Sequence, residues 1–489
     1  MADLAHCLLH HAEQDAHRPA MSDSHSTVTR GELAAWVAGA AAALGDSPET
    51  IGILGENGVE WAVAFLAAAI AGKTIVPVPK FFSDAQRAHL LRDAKVERII
   101  ATGSRSSDAH SLSVPIEPLP QQRAASFPEP AREGGIIIYT SGSTGNPKGV
   151  RLMSGQALWT AGALAEVTGA TAEDRYLSVL PLPMLLEIIC AIITPVLIGG
   201  TVHFDATIAA NTGIGAASNI AEAFARAQPT TSVLVPQLLA LYVGQLMEAG
   251  QRPPESLRFV AVGGAPLPAT LGAAAAKLGL PVFEGYGLSE CASVVAVNRP
   301  GASRAGTVGQ PLPGLRVEIE NGEIVLEGPP VMDGYLHRDA APRRRRTGDM
   351  GQIDADGYLT IYGRKDNLIV TPYGRNVNPE WIETMLLGDP RIGAAVLCQH
   401  GGTGELIMLL IPSRVGEPWF RNASDEDFVQ LVTQACRSAP DYARPQIVRT
   451  LSRETAASHA LFTANGRIRR AEIARFLSVP AKSVLSAEI

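Results

Sequence analysis

The stretch Ile136–Val150 constrains this chain more than any other. It reads Ile-Ile-Ile-Tyr-Thr-Ser-Gly-Ser-Thr-Gly-Asn-Pro-Lys-Gly-Val. A β-branched apolar run gives way at once to hydroxyls and glycines, the pattern of a strand running out into an exposed loop. Bare backbone at Gly142 and Gly145 lets N–H groups come close to an anion. Thr140, Ser141, Ser143 and Thr144 add hydroxyl donors, and Lys148 adds a mobile positive charge. A loop of that make-up suits a polyphosphate. It is not a Walker A loop, which needs Gly-Lys followed directly by Ser or Thr. Here Lys148 stands between Pro147 and Gly149.

At 489 residues the chain exceeds one ordinary core, so two or more domains are expected. Its hydrophobic share, 46%, is that of a packed globular protein. A formal net charge of -7 gives no reason to expect a nucleic-acid partner. The basic run Arg343–Arg346 reads as a solvated loop, with contact to nucleotide or CoA phosphates as the sharper reading. Cys7, Cys190, Cys291, Cys398 and Cys436 are scattered without metal-like spacing and read as reduced thiols of a cytoplasmic protein. The N-terminus lacks the charge and apolar order of a signal peptide. The longest apolar runs, Trp61–Gly72 and Ile188–Gly200, fall short of the roughly 18 residues of a membrane span and read as buried helices or strands.

Along the chain, Leu4 to about Ser47 reads as two helices around a polar turn, with Thr29 and Glu32 in capping-box spacing for the second. Ile51-Gly-Ile-Leu, the helix from Trp61 to Ala71 and the strand Thr74–Val78 alternate as βαβ units do, which predicts a parallel sheet covered by helices. Val114–Pro130 is Pro-rich and reads as an ordered crossing or a tether. Alternation resumes after the loop, with Thr231-Ser-Val-Leu-Val a buried strand. From Gly306 to Tyr362 short strands separated by Gly and Pro predict a small β-rich subdomain. Beyond about Lys365 strands and helices mix, as in a separate lobe.

Further motifs follow in order: Val262-Gly-Gly-Ala-Pro-Leu, Glu284-Gly-Tyr-Gly-Leu-Ser-Glu, Thr347-Gly-Asp-Met-Gly, Ile361-Tyr-Gly-Arg-Lys-Asp, Thr371-Pro-Tyr-Gly-Arg-Asn-Val-Asn-Pro-Glu, and Leu461-Phe-Thr-Ala-Asn-Gly-Arg-Ile-Arg-Arg. Together with the first loop, this series resembles the adenylate-forming (ANL) superfamily of AMP-dependent synthetases and ligases. The wording is nearest its acyl-CoA synthetase-like members, and the resemblance spans nearly the whole chain.

The resemblance implies an α/β fold. It has a large N-terminal domain over residues 1–364, with parallel-rich sheets plus a small β subdomain, and a smaller α+β C-terminal lobe over 365–489 on a hinge at Asp366. It implies ATP and Mg²⁺ as cofactors, with CoA beside them. The phosphate loop, Thr140, Ser141, Gly142, Ser143, Thr144 and Gly145, would hold polyphosphate with Lys148. Gly264 and Ala265 would lie along the adenine and Tyr286 would stack on it, next to Gly287. Ser289 would meet the α-phosphate and Glu290 the Mg²⁺. Asp349 would accept from the ribose hydroxyls, with Ile361 nearby and Arg364 reaching ribose and α-phosphate. Tyr373, Gly374, Arg375 and Asn376 would form a hairpin tip lining a thiol tunnel.

Two positions depart from the family. Arg467 stands where a lysine usually bridges the attacking carboxylate and the α-phosphate. Arginine keeps the charge but spreads it over a planar fork. Met184 stands where an aromatic residue or histidine is common beside the acyl pocket, whose other walls fall near Pro236 and Gly264.

The implied reaction is in-line attack of an acid's oxyanion on the α-phosphorus of Mg-ATP, then transfer of the activated group to a nucleophile. The CoA thiol is the first reading for that nucleophile. An amine or carrier-protein thiol is the alternative, with a small oxyacid such as nitrite as a variant. A non-catalytic nucleotide-binding protein is the reading from another class.

Overall fold

The computed structural model describes residues 2–45, 49–103, 114–129, 133–140, 147–214, 216, 218–338, 343–371, 375–400, 403–462, 468–478 and 485–488. Their strands form five sheets. In a seven-stranded sheet, Thr50–Leu54, Thr74–Pro77 and Arg98–Ala101 run parallel, and Gly135–Thr140 extends the set beside Thr74–Pro77. Lys148–Met153 then returns antiparallel along Gly135–Thr140, so Thr140 and Lys148 face each other at the base of the loop.

A nine-stranded sheet has at its centre Arg175–Ser178, Thr231–Leu234, Phe259–Val262 and Val282–Tyr286, parallel neighbours in that order. Strands covered on both faces read as near-continuous apolar runs. Ile51, Ile53, Ile75, Val76, Leu234, Val260 and Val262 are accordingly buried. The helix Val59–Ile70 is apolar all round, as a helix enclosed by other elements must be, and Trp61 stacks on Phe65 inside it. One apolar core joins the two sheets.

The N-terminal helices are Ala2–Gln14 and Arg30–Leu44, and Thr29 and Glu32 form the expected capping box. The polar turn between them holds two strands, Pro19–Ser22 and Thr27–Thr29, which close the edge of the nine-stranded sheet. Runs this short show no periodicity, so their strand character comes from pairing, Met21 opposite Val202. The Pro-rich connection is an ordered crossing as far as described. It carries the short strand Ile116–Pro118, Trp36 donates to the Pro120 carbonyl at 3.1 Å, and Arg123 lies over the Trp36 ring. The apolar run after Glu187 forms a π-helical stretch Ile188–Ile193 continued by helix Thr194–Ile198.

The predicted β subdomain is an antiparallel sheet of Arg316–Glu320, Glu323–Glu327, Arg344–Ile353 and Leu359–Arg364. It corrects the loop expected at the basic run, because Arg344–Arg346 lie within a strand. Side chains alternate across a strand. Arg344 and Arg346 accordingly pair with Glu318, Glu320 and Glu323 on one side, leaving Arg345 to the other.

Beyond Ile369 come a two-stranded ribbon, Ile369–Val370 with Asn376–Val377, and helix Pro379–Leu386. A further sheet follows, of Ile392–Gln399, Leu406–Pro412, Ile447–Thr450 and Leu485–Glu488. Two apolar clusters are built wholly from this part of the chain. All five cysteines are free thiols. Among the described residues no helix is long and apolar enough to cross a membrane.

Candidate active site

Open parallel sheets bind ligands in the crevice beyond the carboxyl ends of their strands. The four central strands of the nine-stranded sheet all end on one edge, and each is followed by residues singled out from the sequence. Met184 follows Arg175–Ser178, Pro236 follows Thr231–Leu234, Gly264 and Ala265 follow Phe259–Val262, and Gly287, Ser289 and Glu290 follow Val282–Tyr286.

The segment before Met184 is pinned from below. The buried Asn57 donates to the Leu180 carbonyl at 2.7 Å and accepts from the Leu182 N–H at 2.9 Å. Met184, half-buried, closes a turn onto the Pro181 carbonyl. Behind it lies Glu187, fully buried, accepting from the Tyr176 hydroxyl at 3.0 Å. Burial pushes the Glu187 carboxyl up to about 8, against the hydrogen bonds it accepts. Glu284, in the middle of its strand, accepts from the Leu267 N–H at 3.2 Å, and burial pushes it up to about 7.

Tyr286, Asp349 and Arg364 meet at one carboxylate. The Tyr286 hydroxyl donates to Asp349 Oδ2 at 2.5 Å and Arg364 Nη1 to Oδ1 at 3.0 Å. Asp349 is 8% exposed, and burial raises its carboxyl above the ordinary range despite these two donors. The residue expected on adenine and the residue expected on ribose are thus joined by a single hydrogen bond. Gly348, at φ 75°, makes the turn between Thr347 and Asp349, and a Cβ there would come within 3.1 Å of Arg364 Nη2. Gly287 allows no side chain, since a Cβ would fall 1.5 Å from the Ser293 carbonyl oxygen. Ile361 packs with Tyr286 and Leu288 against the core beneath.

Glu290 accepts from the Tyr335 hydroxyl at 2.7 Å, and Arg345 Nη2 donates to that hydroxyl at 2.6 Å. Burial first, then the charge of Glu290, push the Tyr335 hydroxyl up to about 12, so it keeps its proton at neutral pH. Tyr335 belongs to the short strand Gly334–Tyr335, which pairs with Arg151 and Val150 on the strand that begins at Lys148. The Leu336 N–H donates to the Gly149 carbonyl at 2.8 Å. Glu290 is thereby tied to the exposed Lys148 through one strand pair.

Ser141, Gly142, Ser143, Thr144 and Gly145 lie outside the described residues, as do Tyr373, Gly374 and Arg467. Thr140 and Lys148 flank the first group. Arg375 bonds Thr371 across the base of the hairpin and lies 5.7 Å from the Tyr442 ring centre, and Asn376 pairs with Val370. Beyond Arg467, Arg470 makes two hydrogen bonds to the buried Glu383, at 2.8 and 2.7 Å. Asp366 is exposed in the turn Lys365–Asn367. Beside it Lys365 pairs with Glu323 and Asn367 donates to Glu380.

The sequence assigned no role to Tyr335, Glu187 or Glu284, and it read Arg345 only within the basic run, as a solvated residue or a contact to nucleotide or CoA phosphates. Arg345 is disguised by its like-charged neighbours, and Tyr335 meets Glu290 across a separation of 45 residues.

Among the described residues no three His, Cys, Asp or Glu gather into a metal cage. Glu290, a single carboxylate with one oxygen engaged by Tyr335, fits a cation that arrives with its own phosphate ligands. Mg²⁺ is held in that way, by one or two carboxylates with substrate phosphates and water.

A model of the AMP-binding enzyme family matches residues 8–336. The 2-succinylbenzoate–CoA ligase of Bacillus subtilis (strain 168) is 32% identical over 277 residues, 53% of this chain and 54% of that protein. The alignment thus spans about half of that relative's length. The 2-succinylbenzoate–CoA ligase of Bacillus pumilus (strain SAFR-032) is 29% identical over 365 residues, 69% of this chain and 72% of its own. The o-succinylbenzoate CoA synthetase of Bacillus subtilis, solved with the acyl-adenylate intermediate OSB-AMP, superposes with a TM-score of 0.77 at 25% identity, covering 96% of this chain and 97% of that one. An anthranilate CoA ligase solved with anthranoyl-AMP superposes with a TM-score of 0.83 at 20% identity, over 97% of both chains, a likeness of fold alone.

Proposed function

Because this chain belongs to the AMP-binding enzymes of the adenylate-forming superfamily, we propose that it is an AMP-forming acid–thiol ligase. A carboxylate attacks the α-phosphorus of ATP to give an acyl-adenylate and pyrophosphate. The thiol of CoA then attacks the acyl carbon, forming the thioester and releasing AMP and a proton. The observation that carries this reading is the convergence of Tyr286, Asp349, Arg364 and Glu290 beside the strand that begins at Lys148. Relatives named for CoA ligation of an aromatic acid support the choice of acceptor. They do not favour an amine or a carrier-protein thiol.

In this reading Asp349 accepts from the ribose hydroxyls while Tyr286 and Arg364 hold its orientation. Lys148 meets the leaving polyphosphate, and Arg467 meets the incoming oxyanion. Mg²⁺, when bound with ATP, offsets phosphate charge, and Glu290 is the residue to hold it. The protein's contribution is positioning and preorganised charge rather than covalent chemistry. The edge lined by Met184, Pro236 and Gly264 receives the acid. Residues 365–489 form a small lobe that turns about Asp366 between the two half-reactions and excludes water from the anhydride.

The test is pyrophosphate release with a panel of aromatic and aliphatic acids, with and without CoA, and mass spectrometry of the products. An acid-dependent release that yields a CoA thioester is expected. Release that is acid-dependent but never gives a thioester, even at saturating CoA, would remove CoA as the acceptor. Lys148→Ala should slow adenylate formation by about 10²–10³, the usual loss on removing one transition-state donor.

A further inference from the structure

We propose that Tyr335, fixed by Arg345, is a positioning residue that aims Glu290 at the divalent cation carried in by ATP. The inference rests on the reading of Glu290 as the metal-side carboxylate.

The argument begins with proton accounting. A guanidinium only donates, and a tyrosine hydroxyl has one proton to give. Arg345 Nη2 stands 2.6 Å from the Tyr335 oxygen, so that oxygen is the acceptor. Its own proton then goes to Glu290 Oε1, 2.7 Å away. Among the described residues no hydrogen bond reaches Glu290 Oε2. One carboxylate oxygen is spoken for by the protein and the other is left for a hard cation.

The frame around this contact is fixed from three sides. The Met332 N–H donates to the Glu290 carbonyl at 2.9 Å, which ties the two segments together by their backbones. Gln156 donates to the Val331 carbonyl at 2.5 Å from the helix that follows the Lys148 strand. Strand pairing sets Tyr335 opposite Val150. Arg345 is delivered by strand alternation. Its neighbours Arg344 and Arg346 are consumed by glutamates, whereas Arg345 lies 4.9 Å from the Tyr335 ring centre. Its Nε is buried with no hydrogen-bond partner among the described residues. An orphaned buried donor costs stability, so the fold alone does not account for placing an arginine there.

The experiment uses the full-length enzyme and four variants: Tyr335→Phe, which keeps the ring, Arg345→Met, which keeps the stem, the double of these two, and Glu290→Gln. Mn²⁺ binding in the presence of a non-hydrolysable ATP analogue is followed by electron paramagnetic resonance. The Mg²⁺ concentration giving half-maximal pyrophosphate release is measured alongside. Partners that orient a metal ligand are worth about 10–100-fold in metal affinity. Tyr335→Phe and Arg345→Met should each weaken Mn²⁺ binding by about 10-fold. The double variant should be no worse than Tyr335→Phe, because Arg345 acts through the hydroxyl. Affinity for the analogue without metal should not move. If Glu290→Gln weakens Mn²⁺ and Tyr335→Phe does not, the positioning role is overturned while the carboxylate's role stands. If Glu290→Gln binds Mn²⁺ like the parent, both fall. Additive losses in the double variant would show Arg345 acting directly and would overturn the relay.

Discussion

Glu187 shows how much one side chain can impose. It is fully buried and its carboxyl is pushed up to about 8 from an ordinary value near 4.5. A group whose folded-state value is raised stabilises most below its unfolded value, and loses that contribution as pH climbs through the folded one. Stability should therefore fall between about pH 4.5 and 8, at up to roughly 1.4 kcal/mol per pH unit from this group. In urea denaturation across that range, Glu187→Gln should flatten the slope, and an unchanged slope would place the ionisation elsewhere. Asp349 makes a second case. Hydrogen bonds to charged groups contribute about 1.5–3 kcal/mol, so Asp349→Ala should weaken ATP binding by roughly 10–100-fold in calorimetry. Tyr286, Asp349 and Arg364 were legible because each sits in a contiguous, distinctive run of residues. Glu187 drew no role, because its meaning lies in Tyr176 and in burial, which no local pattern announces.

The ion pair that joins helix Pro379–Leu386 to helix Arg470–Ser478 belongs to the scale of elements. Arg470 is bidentate on Glu383, a residue 3% exposed whose other contact is the Leu397 N–H at 2.7 Å. Burial first, and then the charge of Glu380, raise the Glu383 carboxyl, and Arg470 opposes them. Removing one partner of such a pair strands a buried charge, at about 3–5 kcal/mol. Arg470→Met should show that loss in denaturant melts, and Arg470→Met with Glu383→Leu should recover most of it. A single variant as stable as the parent would mean that water reaches Glu383. Elements with long continuous apolar runs, such as Val59–Ile70, could be anticipated from sequence. The strand holding Arg344–Arg346 could not, since its acidic partners are supplied by a neighbouring hairpin rather than by its own alternation.

At the scale of the whole molecule, the apolar clusters beyond Ile369 share no residue with the core that joins the two large sheets. With a boundary near Lys365, scanning calorimetry should resolve two transitions, and an acyl-adenylate analogue should raise the larger one. A single transition in all conditions would argue against separate units. The α/β class and the order of the motifs were readable because βαβ alternation survives in the hydrophobic pattern. The resemblance grouped Met184, Pro236 and Gly264 as pocket walls, but no local pattern announced that Arg175–Ser178 lies next to Thr231–Leu234 in the sheet although Thr201–Phe204 comes between them in the chain.

That shared rim has an evolutionary corollary. The groups that would grip ATP sit on the last strand of the series and on the small antiparallel sheet, while the acid would be met by the turns after the earlier strands. Drift in the segment at 181–187 and in the helix start at 235–239 would then re-aim such a catalyst at new carboxylates without disturbing its grip on the nucleotide. Randomising only those stretches should return variants with new acid preferences and an inherited KM for ATP.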